Sequence, residues 1–152
     1  MNHLEIKSAL LEKCHLHIAN RRTKVENVIS DIMESLEDET KSSAGDKHET
    51  GRAMLQIDRE QAGEQLKEIG KIEEALSKVD IKVKSDYVRL GSVVHTTTNR
   101  FFIAVSAGEI KVDGRPFYAV ALSSPMGQLL LGKKKGDVVR FRESDITITS
   151  VY

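Results

Sequence analysis

The sequence predicts an α+β protein: an N-terminal antiparallel α-helical coiled-coil hairpin, then a β-rich domain with one short helix. Three observations predict it. Residues 4–40 hold no Gly and no Pro, and Leu4, Leu11, Ile18, Val25 and Ile32 recur at every seventh position. A second stretch repeats that spacing with Leu55, Ala62, Ile69 and Leu76. After about residue 80, short runs of β-branched and aromatic residues alternate with turn-forming ones.

The first seam is extended by Cys14, Val28, Ile29 and Leu36, and a heptad repeat sustained this long favours a coiled coil over a short surface helix. Lys7 and Arg21 are its weak points, charged where a seam prefers apolar groups. Leu66, Ile72 and Val79 support the second seam, while Gly51, Gly63 and Gly70 each cost the helix about 1 kcal/mol relative to Ala. Glu64 with Lys67 and Glu74 with Lys78 suit an exposed helix face. Only the polar stretch Ser42-Ser-Ala-Gly-Asp-Lys-His-Glu49 separates the seams, so the helices are expected to fold back antiparallel. At 1.5 Å per residue they make a rod of roughly 45–50 Å. The expected domains are residues 1–80, with a tip at about 41–50, and residues 81–152.

In the second domain Tyr87–Val94, Phe101–Val105 and Phe117–Leu122 have strand composition, with Val112-Asp-Gly-Arg-Pro116 as the turn between the last two. Ser124 is the expected N-cap of a short helix with Pro125 at its first position, and Gly132 ends it. Val138–Phe141 and Ile146–Val151 alternate as half-buried antiparallel strands do.

Composition excludes several classes. The 23 Lys+Arg balance 23 Asp+Glu, which argues against a nucleic-acid binder working by bulk charge. The single cysteine, Cys14, rules out an intramolecular disulfide and a cysteine zinc site. The start lacks the apolar run of a signal peptide, and no stretch approaches the ~20 apolar residues of a membrane span, so a cytoplasmic protein without a membrane partner is expected. A hairpin satisfies its own seam, which makes a monomer the expected state.

Asp46 and Glu49 stand three residues apart at the start of the second helix. That spacing fits an acidic capping box. It equally fits carboxylates presented to Mg²⁺, an ion often held by one or two carboxylates while a partner supplies the rest. Spacing leaves both readings open, and His48 between them is either simply exposed or a proton carrier. His15 and His17 project about 200° apart on a helix, whereas helical metal pairs use i and i+4. Gly127 to Lys134 has the spacing of a phosphate-binding loop but puts Lys134 where Ser or Thr must reach Mg²⁺. Lys133-Lys-Lys135 reads as a solvated turn or as a contact for an acidic partner or a phosphate.

Two motifs carry a resemblance. Ser124-Pro-Met-Gly-Gln-Leu-Leu-Leu-Gly-Lys133, with Gly136-Asp137, is similar to the S-P-hydrophobic…L-L-G-K-x-x-G-D signature of the bacterial Gre transcript-cleavage factors, and Gly91-Ser-Val-Val94 resembles that family's strand upstream. Gly45-Asp46-Lys-His-Glu49 resembles the G-D-x-x-E at the tip of their coiled coil. The resemblance implies an FKBP-like C-terminal domain and an accessory factor of RNA polymerase that is not itself an enzyme. It also carries a family-level association with DNA binding. Such a factor enters the secondary channel and stimulates the polymerase's own cleavage of backtracked RNA at the nascent 3′ end. By resemblance, Asp46 and Glu49 act in trans and help hold a second Mg²⁺ shared with the polymerase, with no cofactor of the factor's own. Ser124, Pro125 and Met126 inherit the contact with the channel rim.

The chain also departs from that pattern. The family continues its tip with Asn-Ala-Glu-Tyr, whereas this chain has Thr50-Gly-Arg-Ala53. Arg142-Glu-Ser-Asp145 replaces a Pro-x-Gly turn between the last strands. The alternative is a non-cleaving polymerase regulator that occupies the channel and inhibits, or a coiled-coil adaptor in which Asp46 is only a cap. A stand-alone prolyl isomerase fits less well, because apolar pockets rely on aromatic walls and aromatics are 5% of this chain.

Overall fold

The structure, a computed structural model, describes residues 1–41 and 46–152, and the side chains of all but residues 41–49. Its element order is α1 (His3–Lys41), α2 (Asp46–Ser77), β1 (Val93–Thr96), β2 (Arg100–Ala104), β3 (Gly108–Val112), β4 (Arg115–Ala121), α3 (Pro125–Leu130), β5 (Val138–Phe141) and β6 (Ser144–Val151). The α+β architecture read from the sequence is present: two long helices, then a six-stranded sheet with one short helix. The chain forms two compact units, one of Met1–His17 with Glu73–Tyr152 and the other of Ile18–Ile72.

In the Ile18–Ile72 unit the two helices run antiparallel. Arg52 donates to Thr40 Oγ1, a Cβ on Gly51 would lie 3.5 Å from Glu39, and one on Gly70 would lie 3.9 Å from Arg22. Those pairs fix the register, since partner numbers sum to between 90 and 92 along the hairpin (39 + 51, 40 + 52, 22 + 70). Ile18, Ile32, Leu36, Ala62 and Ile69 are buried along the seam, joined by half-buried Val25, Ile29, Leu55 and Leu66. Val28 is off it, 50% exposed. After Cys14 one row of the heptad moves on by a residue, to Arg22, Ile29 and Leu36. A straight helix drifts about 20° per heptad against a strict seven-residue repeat, so such a shift is expected within a few turns.

The other unit is built on the sheet. Its strand order is β3-β4-β2-β1-β6-β5, every neighbouring pair antiparallel except β2 with β4. Asp113 and Gly114 take φ of 53° and 74°, the paired positive values of a type I′ hairpin, and this turn joins β3 to β4. This corrects the sequence reading, which placed the turn between β2 and β4. Those two strands run parallel, Phe101 beside Tyr118 and Ile103 beside Val120, with β3 as an added edge strand. A second correction concerns Tyr87–Val94, where the strand begins only at Val93. Gly91 interrupts it at φ 92°, where a Cβ would come 2.9 Å from the Asp80 carbonyl oxygen.

The sheet buries both faces. Val94, Phe101 and Ile103 pack with Met126 and Leu130 of α3 and with Val139, Ile146 and Ile148. Val93, Phe102, Ile110, Val112, Phe117 and Ala119 are buried on the opposite face. The opening turns of α1 reach this second face, where Lys13 Nζ donates to the Lys111 carbonyl and the His3 ring stacks on Tyr152 with centroids 3.6 Å apart. Leu10 and Cys14 are fully buried there, Lys7 is 5% exposed, and Leu4 points out at 48%.

Candidate functional site

Two places stand out in the sequence, and the structure treats them differently. Asp46 is the first residue of α2 and Glu49 lies in its first turn. The side chains of both, and of His48, lie outside the described residues. One turn further along α2, Arg52 reaches back to Thr40, whose hydroxyl also donates to the Leu36 carbonyl at 2.9 Å. Leu36, Thr40, Arg52, Gln56 and Arg59 share a shallow groove of about 600 Å³ with Met33. Arg52 is therefore engaged with α1.

The Ser124–Asp137 motif is fully described, and most of its residues have a role in the fold. Ser124, extended at φ −71° and ψ 158°, caps α3 by accepting from the Gly127 amide at 3.1 Å, and its hydroxyl donates to the Ala121 carbonyl at 2.7 Å. Pro125 occupies the first turn, where its missing N–H costs nothing. Gly127 presses α3 onto the end of β4, since a Cβ there would lie 2.1 Å from the Ala121 carbonyl oxygen. Met126 and Leu130 face the core. Gly132 follows the helix at φ 78°, and its amide donates to the Val88 carbonyl at 2.8 Å. Asp137 closes the last turn by accepting from the Lys134 amide at 2.8 Å, with Gly136 at φ 93°.

Of the three residues assigned to partner contact, Ser124 spends its hydroxyl on the cap and Met126 its side chain on the core, leaving Pro125 exposed. Sequence reasoning missed what this region presents outward. Tyr87 is 49%, Leu131 45% and Val138 58% exposed, beside the exposed Lys133, Lys134 and Lys135. The link is a bridge between Tyr87 and Lys134, with the Val88 amide donating to the Lys133 carbonyl at 2.8 Å. Leu131 follows the helix as its C-cap, at φ −52° and ψ 126°, and so leaves the buried row that Leu130 closes.

Elsewhere, burial pushes the Cys14 thiol up to about 11, which removes it as a nucleophile. Among the described residues no group of three or more His, Cys, Asp or Glu is placed to hold a metal ion. No helix among them is long and apolar enough to cross a membrane.

No family model matches the chain, and no curated protein matches it. Among solved structures the chain is similar to the crystal structure of GreA factor homolog 1 (Gfh1) of Thermus thermophilus. Identity is 18%, coverage is 98% of this chain and 94% of that one, and the TM-score is 0.34.

Proposed function

We propose that this protein is an accessory factor of bacterial RNA polymerase that enters the secondary channel and supports cleavage of backtracked RNA by the polymerase's own active centre. One observation carries the reading. Two separate Gre-like motifs occur in the family's order, the first where α2 begins and the second across α3 and the turn after it. In this reading Asp46 and Glu49 offer carboxylate oxygens to a Mg²⁺ that the polymerase and the RNA also hold, and so position the attacking water. Two-metal hydrolysis needs both the attacking and the leaving oxygen stabilised, and a weakly held second ion gains from extra ligands. The factor itself is not an enzyme, works in the cytoplasm as a monomer, and touches the channel rim through the outer side of the α3 turn.

A second reading is favoured by the residues after Glu49. Thr50-Gly51-Arg52 brings no further acid, and Arg52 bonds to Thr40. A factor of this kind occupies the channel and slows elongation without promoting cleavage.

The test is a purified, artificially backtracked elongation complex, followed by shortening of labelled RNA at its 3′ end. The first reading predicts Mg²⁺-dependent acceleration by the wild-type chain. Asp46→Asn, which caps a helix as well as Asp does, is expected to lose at least about tenfold of it, equivalent to roughly 1.4 kcal/mol of barrier. No acceleration by wild type, with slowed elongation, selects the second reading. Absence of both effects removes polymerase binding altogether.

A further inference from the structure

The start of α1, the segment 81–86 and the end of β6 line a half-open cavity of about 630 Å³ within the sheet-bearing unit. Pockets of this volume hold small organic molecules. Its walls are apolar at Leu4, Ile81, Val83 and Val151 and aromatic at the stacked His3 and Tyr152 rings, whose planes differ by 7°. Lys7 also lines it. That side chain is 5% exposed, yet no hydrogen bond or ion pair among the described residues engages its amine. Since no buried side-chain nitrogen or oxygen among the described residues lacks a partner, the Lys7 amine keeps access to solvent and is open to an anion entering from outside.

The surroundings support an anion. Lys82 and Lys84 line the same cavity against a single acid, Asp86. Asp80, the other nearby carboxylate, accepts from the Lys82 amide at 2.9 Å. Burial, then the Arg89 guanidinium, hold the Lys7 ammonium below the usual lysine range, with Asp80 opposing them. We propose that this cavity binds a small amphiphilic anion: an aromatic or short acyl body lying along His3, Tyr152 and Val83, with a carboxylate or phosphate head paired to Lys7. The site is distinct from the tip acids and from the α3 turn, and it holds whether or not the polymerase reading does.

Titration of the ¹⁵N-labelled full chain with phenylacetate, phenyl phosphate, phenylacetamide and inorganic phosphate tests it. Saturable amide shifts centred on Leu4, Lys7, Ile81 and Val83 are expected with the first or second probe, at a dissociation constant of about 1 mM or tighter. Whichever anionic probe binds tighter identifies the head group. The neutral amide and the bare phosphate are expected to bind at least about tenfold more weakly, and so is phenylacetate to Lys7→Met. Lys111→Met, on the edge strand β3, serves as a control and is expected to bind normally. No saturable shift, shifts centred elsewhere, equal binding of phenylacetamide, or unchanged binding by a folded Lys7→Met variant each overturn the proposal. If Lys7→Met fails to fold, the comparison of acid with amide on the wild-type chain decides alone.

Discussion

At the scale of single residues, the glycine in the middle of the S-P-M-G run shows how a motif can be explained by packing. A methyl group at Gly127 would lie 2.1 Å from a backbone oxygen, so α3 must move for any larger residue to fit. Overpacking of this kind costs about 1–3 kcal/mol. Gly127→Ala is therefore expected to lower stability by about 3 kcal/mol in denaturant unfolding, at the upper end of that range because backbone rather than side chain must give way. His95 supports a prediction about pH. Its Nε2 lies 3.1 Å from the Tyr152 hydroxyl. Burial raises the Tyr152 pKa, so that hydroxyl keeps its proton beside the ring. Burial, then Arg100, His3 and Arg115, lower the His95 pKa. A depressed base stabilises the fold above its unfolded value of 6.5, and the contribution is lost as pH falls through the folded pKa. Wild type is expected to lose more thermal stability than His95→Gln between about pH 7.5 and 5. Parallel pH profiles would contradict this.

At the scale of elements, the helices are legible because their signal repeats. Ile18, Ile32, Ala62, Ile69 and Leu76 fall on the heptad seams and all are buried. Leu4 and Val28 share that spacing and point outward, while Leu10, outside the seven-residue count, is fully buried. A strict count of seven does not follow a helix that turns every 3.6 residues, and for the same reason Lys7 is more than a weak point of the seam. Strand β3 escapes the sequence reading although Ile110 and Val112 are buried and alternate with Glu109 and Lys111; at five residues it merges with the turn beside it. The parallel pairing of β2 with β4 is beyond reach, because pairing partners are chosen by tertiary packing and leave no local pattern. In α2, Gly63 has only the end of the flexible Arg59 side chain near its missing Cβ, at 3.2 Å. Gly63→Ala is expected to stabilise the protein by about 0.5–1 kcal/mol, seen as a raised Tm, since helix interiors disfavour glycine by that amount.

At the scale of the whole molecule, function is legible only through motifs, and the two motifs are not equal witnesses. The α3 motif consists of residues the fold itself requires: a cap at Ser124, a contact at Gly127 and turns at Gly132 and Gly136. Packing and turn geometry account for those four residues without any chemistry. Asp46 and Glu49 differ, because their spacing fits both a capping box that uses the two acids and a pair presented to an ion. The chemical claim therefore rests on the pair. Its most direct measurement is the Mg²⁺ dependence of RNA cleavage in a backtracked complex, with and without the factor. If the two carboxylates hold a shared ion, the wild-type chain lowers the Mg²⁺ concentration at half-maximal cleavage, and Asp46→Asn with Glu49→Gln abolishes that shift while still binding the polymerase. A shift that survives the double substitution, or a wild-type chain that leaves the Mg²⁺ dependence unchanged, contradicts it.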